Sequence, residues 1–145
     1  MKWSDCAVQD LKKYSGLKAS IDNVEERIEA LELKFEGIKV NKSDKIPAHG
    51  GGSKLEDYML DNIVERERLN FLLEADRKIL GIIERGLQAL DNTERLVLDR
   101  FFIHRRKDHI GTLIEELGVE QSQVYRIKDQ ALYKFTIHMY GIEEY

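Results

Sequence analysis

Eight apolar residues, Tyr14, Leu17, Ile21, Val24, Ile28, Leu31, Phe35 and Ile38, follow one another at spacings that alternate between three and four. On a strand they would scatter over both faces; on an α-helix they fall into one continuous seam. Glu25, Arg27, Glu32 and Lys34 flank that seam, so the rest of the rod is solvated. A helix of this length with one apolar edge needs a covering partner. The candidates are a second helix of the same chain, a second copy, or the core of a globular bundle.

The stretch NKSDKIPAHGGGS, Asn41 to Ser53, ends the periodicity. Pro47 and three consecutive glycines oppose regular helix, which predicts a flexible loop over 41–54. The glycines do not form a nucleotide-phosphate cradle, because no Gly-Lys-Ser/Thr follows and no strand precedes. A second long helix is predicted from Leu55 to Leu90. Leu69, Leu72, Leu73, Ile79, Leu80, Ile83, Leu87 and Leu90 form its apolar face. VERERLN, Val64 to Asn70, interrupts that face with charge and marks a kink, an exposed section or an intermolecular ion-pair zone. Two long helices joined by one loop most simply pack antiparallel, with intermolecular pairing as the competitor.

Composition narrows the classes. The 145 residues are 42% apolar and 34% charged with one proline, which fits one domain or two small ones in a helix-rich protein. Cys6 is the only cysteine, so neither an intrachain disulfide nor a cysteine-based zinc site can form. Without an apolar run of membrane-spanning length or a signal-peptide core, the expected location is the cytoplasm. A net charge of −4 argues against a protein that coats DNA nonspecifically, since such binding draws on phosphate neutralisation. A local, geometrically specific reader stays open.

A new unit begins at LDNTERLVL. Asp91 with Glu94 three residues on is a capping-box pair, and Leu96, Val97, Phe101 and Phe102 supply a core face as far as about His104. After the polar connection HRRKDH, Ile110–Leu117 reads as a short helix and Gly118–Glu120 as a turn. Gln121 to about His138 reads as a longer helix. Leu113, Leu117, Val119, Val124 and Ile127 are spaced to meet between two crossed helices, and Gly118 suits the left-handed conformation that ends the first. With those five inside, Gln121, Ser122, Tyr125 and Arg126 face outward at the start of the second helix. In a helix-turn-helix that end enters the major groove, where Gln and Arg form paired hydrogen bonds with adenine and guanine edges. Gln123 and Lys128 on the same helix, and Arg105, Arg106 and Lys107 before it, complete the candidate DNA-binding set. The division expected is 1–90 as a coiled-coil-like helical hairpin for assembly and 91–145 as a helix-turn-helix domain, an all-α chain throughout.

LDNTERLVLDRFFIHRRKDHIGTLIEELGVEQSQVYRIKDQALYKF resembles the fourth, promoter-reading region of bacterial sigma factors over about 45 residues. Asn92–Phe101, Leu113–Val119, Val124–Ile127 and Ala131–Lys134 carry the resemblance, which implies a sigma-like helix-turn-helix that reads promoter DNA. Three positions depart from the pattern. Ile114 stands where the family has a small alanine, Glu120 replaces the usual Ser or Thr cap, and Tyr125 sits where Arg is common. Asp91–His138 holds eight basic and eight acidic side chains, so this unit is neutral. The helical front half, the PAHGGGS loop and the terminal sigma-like segment together resemble small phage regulators of the ArpU and RinA kind. That resemblance implies an activator of late phage transcription.

Other chemistry is weaker. His104 and His109 are five apart, share no helix face and have no third metal ligand nearby. Glu25/Glu26, Glu115/Glu116 and Glu143/Glu144 read as surface charge, and no nucleophile–base arrangement stands out. The chain is therefore expected to be a sequence-specific DNA-binding transcription regulator, without enzymatic activity, metal or other cofactor. Its expected partner is double-stranded DNA. RNA polymerase and a second copy held through the N-terminal helices are further candidates. Two alternatives stand beside this reading: a phage small terminase subunit, and a sigma-like module that binds polymerase instead of DNA.

Overall fold

The computed structural model describes residues 2–44 and 51–141, and is all-α. Helix α1 spans Trp3–Asp44 and α2 spans Gly51–Gln88. Helix α3, Asn92–Leu98, runs on into a widened turn over Asp99–Ile103, in which the His104 amide reaches back five residues to the Asp99 carbonyl at 2.7 Å. Helix α4 is His109–Leu117 and α5 is Gln121–Tyr140. Of the loop predicted over 41–54, residues 41–44 and 51–54 are helical, with nothing between Asn41 and Asp44 to stop α1, and residues 45–50, Pro47 among them, lie outside the described residues.

Packing divides the chain into two compact units, residues 19–78 and residues 1–18 with 79–145. In the first, every member of the α1 seam from Ile21 to Ile38 is buried or half-buried. Arg77 pairs with Glu25, the Asn62 side chain donates to the Leu31 carbonyl at 2.8 Å, and the Arg66 guanidinium lies 4.8 Å from the Phe35 ring centroid. The earlier α1 residue, Glu25, meets the later α2 residue, Arg77, while Leu31 and Phe35 meet the earlier Asn62 and Arg66, so α2 packs antiparallel to α1 within the same chain. VERERLN lies within the unbroken span of α2. Arg66 stays in the seam because Asn62 accepts from its Nε at 2.8 Å and Phe35 covers its planar face. Leu72, placed on the apolar face by sequence, is 45% exposed here, since Leu69 and Leu73 take the seam on either side of it.

The second unit is built around Ala7, Leu11, Ile83, Leu87, Leu90, Leu98, Ala131, Leu132 and Phe135. Its core therefore draws on one end of α1 and one end of α2 as much as on α3 and α5. Trp3 stacks at a tilt on Tyr140, 5.1 Å between centroids, and the Tyr140 hydroxyl donates to Asp10. Gly86 allows this convergence: a Cβ there would fall 2.7 Å from the Phe135 ring and 3.1 Å from Met139 Sδ. Packing thus assigns residues 1–18 and 79–90 to the same unit as 91–145, whereas a division by chain order at residue 90 separates them. Ile79, expected on the buried face, is 46% exposed in this unit.

Candidate nucleic-acid interface

The start of α5 is set by the elements beneath it. Asp91 caps α3 by accepting from the Glu94 amide at 2.7 Å, while the Glu94 carboxylate accepts from the Asp91 amide at 3.2 Å. The other Glu94 oxygen pairs with Lys134 of α5 at 2.8 Å, which holds the Lys134 ammonium above its ordinary value. Arg95 donates to the Leu87 and Leu90 carbonyls at 3.1 and 2.9 Å, closing the end of α2. Above this frame, Val97, Phe101, Leu113 and Val124 form a buried cluster with Leu117, Val119 and Ile127 packed against it. The five apolar positions expected to meet between α4 and α5 all belong to it.

Gly118 ends α4 in the left-handed conformation, φ 63° and ψ 35°, with its amide on the Ile114 carbonyl at 2.9 Å. Glu120 then turns to extended backbone, and its carbonyl takes the first bond of α5 from Val124 at 3.1 Å. Its carboxylate makes no cap bond. The amides of Gln121, Ser122 and Gln123 thus precede the first intrahelical bond and point out of the helix start.

The predicted residues divide into two groups around that end. Gln121, Ser122 and Arg126 are exposed, and so are Arg105, Arg106 and Lys107 on the connection before α4. Gln123 is half-buried, and its Oε1 accepts from Arg126 Nη1 at 3.3 Å, which steadies the guanidinium. Tyr125 is 41% exposed, with its ring edge on Phe101 at 5.9 Å. Lys128, named in the DNA-binding set, is drawn inward. Only 22% of its side chain is exposed; its Nζ lies 2.8 Å from Asp129 and 5.8 Å from the ring centroids of both Phe101 and Tyr125. Two aromatic faces and a neighbouring carboxylate draw the ammonium back onto the protein.

Sequence reasoning missed one polar chain. His104 Nδ1 lies 2.8 Å from Asp99 Oδ1 and its Nε2 lies 3.5 Å from Ser15 Oγ. The widened turn creates it, by bringing residues five apart onto one side. The order hydroxyl–imidazole–carboxylate is that of an activated nucleophile. Ser15, however, sits in the middle of α1, its amide within the helical ladder and its side chain open to solvent. Its geometry suits a tie between α1 and the turn. Asp99 also accepts from Arg100 at 3.2 Å, and Arg100 continues to Glu116 of α4 at 3.3 Å. His109 stands edge-on to Phe101, 4.9 Å between centroids. Among the described residues no three His, Cys, Asp or Glu side chains cluster as metal ligands would, and no helix is long and apolar enough to cross a membrane.

The fold and the surface at α5 define an all-α chain with a long antiparallel helix pair and a short helix, turn and longer helix set on a shared core. Comparison with protein-family models, with curated proteins and with solved structures gives no match to this chain.

Proposed function

We propose that this chain is a sequence-specific DNA-binding transcription regulator of the phage late-activator type, acting in the cytoplasm at promoters, and that α5 reads the major groove. One observation carries the reading. Gln121, Ser122 and Arg126 stand exposed at the open N-terminus of a helix that is held rigidly from below by Val124, Leu113 and Phe101. A helix so presented fits a major groove, and Gln and Arg match the adenine and guanine edges there. The three leading amides suit a backbone phosphate. Arg105, Arg106 and Lys107 supply further phosphate contacts, while Lys128 supports the ring of Tyr125 from behind.

The test is selection of bound fragments from the genome that encodes the protein, at near-physiological salt, where nonspecific binding is weak. Enrichment of one short site upstream of genes is expected. On that site Gln121→Ala or Arg126→Ala weakens binding by about 1–3 kcal/mol. Arg105→Ala instead reduces the salt dependence by about one phosphate contact without changing the preferred sequence. A protein that stays folded and enriches nothing overturns the proposal.

A second reading is favoured by Glu120, whose uncapped carboxylate lies beside the same helix start, and by the charge neutrality of this segment. In it the surface binds RNA polymerase. Co-purification with polymerase in the absence of DNA, with no shift of any fragment, is its signature.

A further inference from the structure

Residues 19–78 carry a second apolar edge that α1 does not cover. The seam of α2 in this unit, Leu55, Met59, Asn62, Arg66, Leu69, Leu73 and Asp76, is buried or half-buried. On the far side of the helix lie Leu60 (59% exposed), Val64 (55%) and Phe71 (75%), with Ala75 also exposed. Their spacings are four, seven and four, and Arg68 occupies the intervening turn, tied to Glu65 at 2.7 Å. In sequence the same pattern goes on to Ile79 and Ile82, so that Leu60, Phe71 and Ile82 recur every eleven residues. An eleven-residue period keeps a stripe on one side of a helix, with a slight right-handed drift. Lone exposed apolar residues are ordinary on a protein surface; a periodic row of them on one helix is the mark of an interface.

The charges around the row indicate what covers it. Among exposed residues of its first half, 54–67, Glu56, Asp57, Asp61 and Glu67 face a single base, Lys54. In the second half, 68–78, Arg68 and Lys78 outnumber the one acid on this side, Glu74, while Arg77 is held on the α1 side by Glu25. A second α2 laid parallel would set acid on acid along its first half. Laid antiparallel, it sets the acidic half of each copy on the more basic half of the other and brings Leu60 against Ala75 and Val64 against Phe71 of the second copy. The charges favour that orientation over the parallel one.

We infer that the outer face of α2 around Leu60, Val64, Phe71 and Ala75 is the site at which two copies of this chain pair antiparallel. The contact is isologous and closes at two copies. Four apolar side chains per copy make a contact at the small end of specific interfaces, on the order of 1,000 Å² in total, and a weak equilibrium on the order of 1–100 µM is expected. The inference is independent of whether α5 binds DNA, and its test needs none.

Sedimentation of the full chain across that concentration range should show a monomer–dimer equilibrium. Phe71→Glu, at an exposed position, should weaken it at least tenfold while leaving the helical circular dichroism unchanged. Orientation is read in a Cys6→Ser background. A chain carrying both Val64→Cys and Phe71→Cys should oxidise to a covalent dimer, because the pairing sets position 64 of one copy opposite position 71 of the other, and Leu60→Cys alone should not, because antiparallel pairing separates the two copies of residue 60 by roughly 22 Å. A monomer at every concentration, a dimer indifferent to Phe71→Glu, cross-linking by Leu60→Cys alone, or a ring of more than two copies would each overturn it.

Discussion

Tyr140 holds its proton more tightly than an ordinary phenol, first because it is partly buried, then because it donates to the Asp10 carboxylate and would be repelled by it once ionised. The unfolded chain releases this proton near pH 10, whereas the folded chain keeps it. Between those two values the unfolded state binds fewer protons, so stability is fully present below about pH 10 and falls as pH rises beyond it. Tyr140→Phe should lower stability at neutral pH by about 1.5 kcal/mol and flatten part of that alkaline decline, both read from urea unfolding between pH 8 and 11. Nothing in the sequence joins Asp10 to Tyr140, which are 130 residues apart. The pair of Asp91 and Glu94 was legible at once, because a capping box is a local pattern. Asp91→Ala should cost about 1 kcal/mol by the same measurement.

At the scale of elements, apolar periodicity located α1 and α2, the capping box located α3, and the inward spacing around the turn located α4 and α5, while the turn at Gly118 followed from the one residue type that takes its backbone angles without strain. Two things escaped. The seam of α2 contains Asn62, Arg66 and Asp76, so a search for apolar residues drifts to its neighbours Leu72 and Ile79, which face solvent. Lys128 was a DNA-binding candidate, yet Phe101 and Asp129 claim its charge, and only the folded aromatic cluster reveals that. The outward set at Gln121, Ser122 and Arg126 was readable because it is the complement of the apolar set on the same short helix. The packing of α2 on α5 was not readable, since Gly86 looks like a helix weakness until Phe135 is seen against it. Gly86→Ala should therefore destabilise the protein by about 1–3 kcal/mol through overpacking, despite alanine's better helix propensity. Thermal unfolding of the variant decides the sign.

For the molecule as a whole, the consequential feature is a core shared between distant parts of the chain. Ala7, Leu11, Ile83, Leu87 and Leu90 cover Leu98, Leu132 and Phe135. Burial of a large aliphatic side chain contributes roughly 1.5–3 kcal/mol, and a small domain has only about 5–15 kcal/mol in total. A fragment of residues 91–145 alone should thus lack a cooperative unfolding transition, while one that joins residues 1–18 to 79–145 through a short linker should regain it. A folded 91–145 fragment with native-like amide dispersion by NMR would contradict this. The shared core also sets an order of events during synthesis. The turn of α1 bearing Leu11 leaves the ribosome long before Phe135 has been made. At about 5–20 residues per second that apolar surface waits on the order of ten seconds for its cover. Chaperones and proteases meet the nascent chain in that interval, so its survival in a cell depends on translation speed as well as on the stability of the finished fold.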